Sequence, residues 1–254
     1  PAWMVTEIHT NPELIGQSSL EMNRVRFELI FDELEILGFE RCSVLDLGIF
    51  PGVSAYLVKD LCSWNPSKFW GVGLGFTDEF TKAMQEKGVD LVELECDPRL
   101  THTKLEDFKI PLADSSVDLV VFTDVIEHLF DPILLLREIN RVCRADGKVI
   151  VTTDNLSRFE NVWGILTGRS CNVPLAEGPL FYNGPWRPHF REFTKGELLE
   201  LAGWSGFVCE RHRFYEARFG SANKSHHFGS INAFIFNQLK RFVTSLIPAY
   251  RDNQ

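Results

Sequence analysis

The 254-residue sequence has no uninterrupted apolar run long enough to span a bilayer. Its N-terminal residues also lack a basic region followed by an apolar one, so we expect a soluble protein that is not exported. Basic charge is scarce, because 26 lysines and arginines stand against 35 aspartates and glutamates, for a formal charge of −9. A nucleic-acid partner is therefore not expected, since such binders attract phosphates through positive charge.

Paired cysteines are also lacking. The six cysteines are scattered without a C-x-x-C pair, and several lie inside apolar runs. They indicate reduced, buried thiols of a cytoplasmic protein rather than a disulfide framework or a zinc site. His102 and the pair His226 and His227 lie in predicted loops without acidic or thiol partners at ligand spacing, so no metal is expected.

The stretch around which the rest of the sequence is organised is residues 43–52, SVLDLGIFPG. Three apolar residues flank Asp46 with strand character, and the run ends in a turn between Gly48 and Gly52 that opens a helical segment. Glycines allow a tight turn and a close approach of the backbone to a ligand. A strand, a glycine turn and a helix start together predict a site for a small polar ligand.

The following residues alternate between strand and helix patterns as far as residue 155. Further strands are predicted at 68–75, 90–96, 117–125 and 148–155, with helices at 78–87 and after Pro132. This alternation predicts an α/β fold, a doubly wound and mostly parallel sheet of the Rossmann-like kind. Ligands in such sheets bind at the carboxyl ends of the strands, where the strand order reverses.

We interpret the chain as a single domain with additions. Residues 1–38 are predicted to form an arm and an amphipathic cap helix (18–38), 39–155 the core, 156–193 an insertion, 194–216 a closing helix and strand, and 217–254 a helical tail. The insertion is rich in aromatic residues, proline and glycine without a clear period, which is typical of a lid or binding segment. The amphipathic tail, with Lys240 and Arg241, is where a peripheral membrane contact would be expected.

Four blocks in the correct order resemble the class I S-adenosylmethionine-dependent methyltransferases. They are VLDLGIFPG (44–52), IPLADSSVDLVVFTDVIEHLFDP (110–132), LREINRVCRADGKVIVTTDN (136–155) and PHFREFTKGELLELAGWSGF (188–207). The last block is similar to the branch linked to methylation of sugars, polysaccharides or glycolipids. The resemblance implies S-adenosylmethionine as cofactor and S-adenosylhomocysteine as product.

By this resemblance, Asp46, Gly48 and Gly52 surround the methionine moiety of the cofactor. The acidic residue that usually accepts both ribose hydroxyls would fall at Gly73, which is a departure from the family. Its absence should weaken cofactor binding unless Asp78 or Glu79 reaches across, because each charge-assisted hydrogen bond is worth ~1.5–3 kcal/mol. Ile49 and Phe50 also make the first turn bulkier than is usual in the family.

The resemblance places adenine recognition on a carboxylate after the third strand. Asp97, Glu106 and Asp107 are the candidates: spacing to Pro111 favours Glu106 or Asp107, and position just after the strand favours Asp97. Thr123 and Asp124, at the end of the fourth strand, would lie beside the sulfonium.

Methyl transfer to a hydroxyl needs an aligned nucleophile and a base that takes its proton, and histidine suits that role. His128, in IEHL, and His189, in PHFREF, are the candidate bases. Each has a structural alternative, because Glu127 next to His128 can brace a loop and Arg191 can clamp HFREF to a carboxylate. We favour His189, since the insertion can bring it over an acceptor held by Trp163, Phe181, Tyr182 and Trp186.

The sequence therefore predicts an S-adenosylmethionine-dependent methyltransferase, with O-methylation of a sugar, polysaccharide or glycolipid precursor as the preferred reaction. N-methylation of an amino sugar or another small metabolite is the first alternative, because an amine needs positioning more than a base. The second alternative is a non-catalytic scaffold, which the altered position at Gly73 keeps open. A nicotinamide dehydrogenase is disfavoured, since G-x-G-x-x-G spacing is missing.

Overall fold

The structure is a computed structural model that describes residues 24–39, 41–97, 99, 107–171, 189–215 and 230–251. The strands in these residues are β1 (Ser43–Leu47), β2 (Lys68–Gly73), β3 (Asp90–Glu93), β4 (Val117–Thr123) and β5 (Cys143–Thr152). The helices are α1 (Arg24–Leu37), α2 (Val53–Tyr56, continued as a π-helical stretch over Leu57–Leu61), α3 (Asp78–Glu86), α4 (Pro132–Val142), α5 (Phe159–Leu166), α6 (Lys195–Trp204) and α7 (Ser230–Leu246), with short 3₁₀ turns at Ile126–His128 and Pro248–Tyr250.

The five strands form one sheet in the order β3-β2-β1-β4-β5, and each neighbouring pair is parallel. The predicted α/β fold with a doubly wound parallel sheet is thus confirmed. The strand order reverses between β1 and β4, and their carboxyl ends lie side by side. A crevice for a ligand is expected at that switch point.

Alternation along the central strands divides the core between the two faces of the sheet. Val44 of β1 and Val121 of β4 belong to one buried cluster, whereas Leu45 and Phe122 belong to the other. The first cluster includes Phe27, Ile30 and Leu34 of α1, which occupy a helical stripe. The cap helix predicted over residues 18–38 is therefore present from Arg24 onward, and its earlier part lies outside the described residues.

Two predicted strands differ from the structure. The fifth strand begins at Cys143, directly after α4. Asp146 and Gly147, which were predicted to form a turn, lie within this strand, where its register with β4 shifts between Val117 and Leu119. The strand predicted at 206–216 is wrong, since residues 207–214 have no regular structure. Its charged side chains make ion pairs instead: Arg211 and Arg213 contact Glu33 of α1.

In its described residues, the predicted insertion contains a helix that the sequence pattern missed. Helix α5 lies within residues 156–193, and its Phe159 and Trp163 pack against Phe236 of α7. Lys240 of α7 adds an ion pair with Glu160, 2.7 Å between Nζ and Oε1. Residues 172–188, with the predicted aromatic contacts Phe181, Tyr182 and Trp186, lie outside the described residues, as do His102, His226 and His227.

In the described part of the chain, no helix combines the length and the apolar character needed to cross a membrane. Phe242 and Leu246 of α7 are exposed, with 63% and 65% of their surface accessible. A peripheral contact through this helix stays a prediction. None of the six cysteines forms a disulfide bond; Cys42 and Cys143 are buried, whereas Cys209 is exposed.

The bulky turn after β1 has a structural counterpart in β2. Ile49 is buried against Gly71, where a Cβ atom would lie 2.3 Å from Ile49 Cδ1 and 3.1 Å from Leu91 Cδ2. The missing side chain at residue 71 thus makes room for the large residue at position 49.

We predict that Gly71→Ala lowers the free energy of unfolding by ~1–3 kcal/mol, because the added methyl group overpacks this contact. Urea denaturation would measure the effect. Ile49→Ala in the same chain should offset part of the loss. Gly203→Ala is the matched control, since a Cβ at that helical position meets nothing within 4 Å. Equal stability of Gly71→Ala and the parent would contradict this packing argument.

Candidate active site

The turn that follows β1 lies against the loop that follows β4. The backbone N–H groups of Gly48 and Ile49 both donate to the Val72 carbonyl, at 2.9 and 3.1 Å. Gly48 has a φ of 83°, and a Cβ there would lie 2.4 Å from Val125 Cγ2. Glycine is required by backbone conformation and by this close approach. The predicted turn at Gly48 therefore forms one wall of the crevice between β1 and β4.

Gly52 closes the same turn and caps the start of α2. Its φ is 92°, and a Cβ there would lie 2.9 Å from Met84 Cε. Glycine is required at this position because the backbone is left-handed and because α3 leaves no space for a side chain.

Asp46 lies two residues before the turn and is 2% exposed, with Ser54 Oγ donating to its carboxylate. Burial raises the pKa of Asp46 to about 7, and the Ser54 hydrogen bond opposes that rise. The side chain is thus a buried carboxylate with one close donor, placed where β1 meets the crevice.

We predict that Asp46→Asn stabilises the fold in a pH-dependent way. The pKa of this carboxyl is about 7 in the folded chain and ~3.9 when unfolded, so folding takes up a proton between these values and stability falls as pH rises through that window. The uncharged amide avoids this loss. The gain in unfolding free energy over the parent should grow from pH 4 to pH 7 and level off on the order of 2–4 kcal/mol.

Chemical denaturation at several pH values would measure this gain. Asp90→Asn is the control, because its carboxylate on β3 is 62% exposed. A gain that does not vary with pH would contradict the assignment of the raised pKa to Asp46.

The position expected to carry a ribose-binding acid is apolar here. A Cβ on Gly73 would lie 2.9 Å from the ring of Phe76, which stacks on Phe80 with 5.6 Å between centroids. Phe50 from the first turn completes this aromatic group at 5.3 Å from Phe80. Aromatic rings therefore occupy the space next to Gly73.

A different carboxylate lies beside Gly73. Glu93, at the end of β3, is its register partner, and Glu93 Oε1 accepts a hydrogen bond of 3.0 Å from the Gly75 N–H. Asp78 and Glu79, the substitutes considered from the sequence, lie exposed in the first turn of α3. Glu93 is thus better placed than either of them to approach a ligand at the end of β2.

The three candidate adenine-binding carboxylates have different surroundings. Asp97 is fully buried and accepts hydrogen bonds from the backbone N–H groups of Phe130 and Arg99, the latter at 3.0 Å. It therefore braces the loop that follows β4. Asp107 is exposed, and Glu106 lies outside the described residues.

Thr123 ends β4, and Asp124 follows it at the carboxyl edge of the sheet. Asp124 has a φ of 49°, an unfavourable value for a residue with a side chain, and such outliers cluster at functional sites. Thr152 of β5 holds it in place, with Oγ1 donating to Asp124 Oδ1 at 2.8 Å. Arg26 of α1 makes an ion pair with the other carboxylate oxygen.

The two histidines predicted as candidate bases lie together. Their rings are 4.7 Å apart in an edge-to-face arrangement, with His128 after β4 and His189 entering from the insertion. The backbone brings them together, because the Phe190 N–H donates to the Glu127 carbonyl at 2.8 Å. The side chain of Glu127 is 2% exposed and accepts from Thr153 Oγ1 at 2.9 Å.

His189 is held by carboxylates that the sequence analysis did not identify. Its Nδ1 lies 3.1 Å from Asp154 Oδ2 and 3.9 Å from Glu192 Oε1. Burial disfavours the charged ring, but hydrogen bonding and the charges of these carboxylates raise the pKa of His189 to about 10. Burial raises the pKa of Glu127 to about 7. Both candidate bases are therefore held in place by neighbouring residues, so the structural alternative applies to His189 as well as to His128.

The structural alternative for HFREF is also partly realised. Arg191 pairs with Glu197 of α6, and Arg158 pairs with Glu192 at 2.7 Å. Leu156 N–H donates to the Phe193 carbonyl at 3.0 Å, next to the bridge between Asn155 and Phe193. Backbone hydrogen bonds and ion pairs thus hold the HFREF segment at the end of β5, and these contacts fix the position of the His189 ring.

Two groups of side chains here have the spacing of metal ligands: Glu127 with His128 and His189, and Asp154 with His189 and Glu192. His189 belongs to both. A metal here would have to displace the proton that these carboxylates favour on His189, because a histidine ligates a metal only in its neutral form. The observed contacts are those of a hydrogen-bonded ion pair.

Sequence reasoning missed Arg26, Asp154 and Glu192. Asp154 follows β5 as Asp124 follows β4, so the rule that ligands bind at strand carboxyl ends could have found it. Arg26 lies four residues before the buried Ile30, on the apolar stripe of α1, where a charged residue is unusual. Glu192 has no such signal.

A separate cavity of about 310 Å³ runs along the outer edge of β5, between that strand, α1, α6 and residues 207–215. Its walls include Ile30, Val149 and Leu201, and its polar end includes Thr152 and Tyr215. Gly48 and Gly52 do not line it, so it is distinct from the crevice between β1 and β4.

Similarity to known proteins agrees with this arrangement. Residues 45–151 match a family described as a methyltransferase domain. A probable S-adenosylmethionine-dependent methyltransferase of Mycolicibacterium smegmatis is 31% identical over 188 residues, which are 73% of this chain and 59% of that protein. One from Mycobacterium tuberculosis is 34% identical over 111 residues, 44% of this chain and 34% of that protein. The chain thus spans about three fifths of the first relative and about a third of the second.

Solved structures show the same fold at low identity. A methyltransferase structure from Archaeoglobus fulgidus superposes with a TM-score of 0.51 at 17% identity, covering 91% of this chain and 94% of that one. One from Aquifex aeolicus gives a TM-score of 0.50 at 17% identity, covering 83% and 92%. The sheet order is that of a Rossmann-like methyltransferase fold, and residues 45–151 of this chain match a methyltransferase domain.

Proposed function

We propose that the protein is an S-adenosylmethionine-dependent O-methyltransferase whose acceptor is a hydroxyl group of a sugar, a polysaccharide or a glycolipid precursor. The observation that carries the proposal is the contact between His189 and Asp154 at the carboxyl edge of a methyltransferase sheet. A histidine oriented by a carboxylate is an arrangement suited to removing a hydroxyl proton. The 188–207 block, which resembles that of sugar and glycolipid methyltransferases, supports the acceptor class.

The residues of the crevice fit the amino-acid side of the cofactor. Gly48 gives a turn without a side chain, Asp124 presents a carboxylate that is 30% exposed, and the buried Asp46 lies two residues before Gly48. On the ribose side, Glu93 would take the place of the acid missing at Gly73. The cofactor supplies an electrophilic methyl group on a sulfonium; the chain must orient the acceptor and receive its proton.

Asp154 decides which nitrogen of His189 takes part. Its carboxylate accepts a hydrogen bond from the Nδ1–H group, which leaves Nε2 to accept a hydroxyl proton once the ring is neutral. Glu192 also lies near Nδ1 of His189, and it forms an ion pair with Arg158. The proton then rests on an imidazolium that these carboxylates stabilise.

N-methylation of an amino sugar or a small amine is the second candidate. It is favoured by the raised pKa of His189, which leaves little neutral base near pH 7. Carboxylates such as Asp124 and Asp154 could bind an amino group directly.

The test is incubation of the protein with methyl-labelled cofactor and fractionated cell-envelope glycans, together with calorimetry using S-adenosylhomocysteine. We expect binding of the homocysteine product and label in a sugar methyl ether. Label in an amine would select the second candidate. Undetectable binding in calorimetry would instead favour a non-catalytic scaffold, in which the aromatic group around Phe76 has replaced a nucleoside site.

We predict that His189→Ala lowers the methylation rate ~100-fold, the range usual for a general base. In the parent, the rate should rise with pH towards the alkaline range, because a base with a raised pKa becomes neutral only there. Asp154→Asn should move this rise to lower pH, towards the ordinary histidine value of ~6.5. Steady-state rates from pH 6 to 10 would measure both effects.

His212→Ala is the control, since that histidine lies on residues 207–214 beside the separate cavity. An unchanged alkaline rise in His189→Ala would exclude it as the base. Loss of homocysteine-product binding in the same variant would show that the residue supports the fold of the crevice instead.

A further inference from the structure

Arg26 is a buried cation at the carboxyl edge of the sheet. Its side chain is 12% exposed, and the Nε atom is buried without a hydrogen-bond partner among the described residues. Burial lowers the pKa of this guanidinium, while the nearby Tyr215, Glu127 and Asp154 raise it. Arginine stays charged in proteins, so an unpaired N–H of a buried guanidinium is a costly feature of the fold.

The ion pair between Arg26 and Asp124 does not satisfy the guanidinium by itself. The pair uses Nη1 of Arg26, and the Phe27 ring, 4.9 Å from the guanidinium carbon, offers an aromatic face but no acceptor atom. Arginine has five N–H donors in a planar fork, which suits a second carboxylate. A ligand with an anionic group would supply the missing acceptor.

The location of the Arg26–Asp124 pair narrows the choice of ligand. Asp124 is followed by Val125, whose Cγ2 meets the position of a Cβ on Gly48, so the charge pair lies next to the glycine turn. That turn is where the methionine end of the cofactor is expected in the proposed function. This end carries one carboxylate and one ammonium group, and the protein offers one guanidinium and one carboxylate beside each other.

We infer that Arg26 and Asp124 form the receptor for the amino-acid end of the cofactor, with Arg26 binding the α-carboxylate and Asp124 the α-ammonium group. The inference rests on the proposed function and adds to it a binding residue from α1, outside the matched family segment 45–151. Four charges of alternating sign then neutralise one another in the crevice. The unpaired Nε would receive an acceptor, and the strained Asp124 backbone would be held from both sides.

The pair also predicts a selectivity. A neutral group would give the Arg26 guanidinium no anionic acceptor, and a purely anionic group would be repelled by Asp124. Ligands that share the adenosine and sulfur but lack the amino-acid end should therefore be bound without help from Arg26.

Calorimetry with two ligands on the intact chain tests this inference. S-adenosylhomocysteine carries the amino-acid end, whereas 5′-methylthioadenosine lacks it. Arg26→Met should weaken binding of the first by ~10- to 100-fold, as expected for hydrogen bonds to a charged group, and change the second by less than about twofold. Arg24→Met is the matched control on the same helix; its guanidinium is 30% exposed and lies 3.6 Å from Glu28, and both ligands should bind as in the parent.

Arg26→Met leaves Asp124 without its cation, so the double variant Arg26→Met, Asp124→Asn provides a second reading. It should lose the same preference for S-adenosylhomocysteine over 5′-methylthioadenosine. Equal loss of both ligands in both variants would overturn the inference and make Arg26 a support of the fold, as would unchanged binding of S-adenosylhomocysteine. If the parent bound neither ligand, the proposed function would itself fail, and the assignment of Arg26 would fall with it.

Discussion

Charge burial at the carboxyl edge of the sheet is the constraint on which the rest of the site depends. Asp46 and Glu127 are nearly inaccessible, and Arg26 enters the same region from α1. Buried charges persist only with partners, so each of them fixes its neighbours. Helix α1 and the strand ends are joined through Arg26 and Asp124, and the segment around His189 is joined to β5 through Asp154. The arrangement of the elements around the crevice follows from these pairings.

The sequence predicted the sheet well because its strands are apolar runs bounded by glycine or charge, and that pattern depends on local residues alone. It predicted the glycine turn for the same reason, whereas the two histidines were chosen as candidate bases from the chemistry of methyl transfer, and that role stays a prediction. It could not predict that His189 would meet Asp154, since that contact needs the insertion to return to β5. The strand expected at 206–216 failed because its charged residues find ion-pair partners in α1 and β5 instead of pairing with the sheet edge.

Departures from the family pattern occur in pairs of residues that pack against each other. Ile49 is large where the turn is usually small, and Gly71 gives it space in the adjacent strand. Gly73 lacks the usual acid, and the Phe76 ring lies where its Cβ would be. A single substitution towards the family pattern would therefore meet the other half of each pair. Aromatic rings fill the end of the crevice next to Gly73, whereas Arg26 and Asp124 place charged groups at the ends of α1 and β4.

The contacts that hold His189 in place would also orient it for its proposed role as the base. Phe190 and Phe193 bind the backbone of the insertion to Glu127 and Leu156, which fixes the position of the ring. Asp154 fixes its tautomer at Nδ1. A base held in this way loses little conformational freedom on meeting a substrate, but the carboxylates that orient it also favour its charged form. The number of carboxylates around the ring therefore sets both how firmly it is oriented and how strongly its charged form is favoured. A sulfonium or other cation brought into the crevice would shift the protonation equilibrium of the ring towards the neutral base.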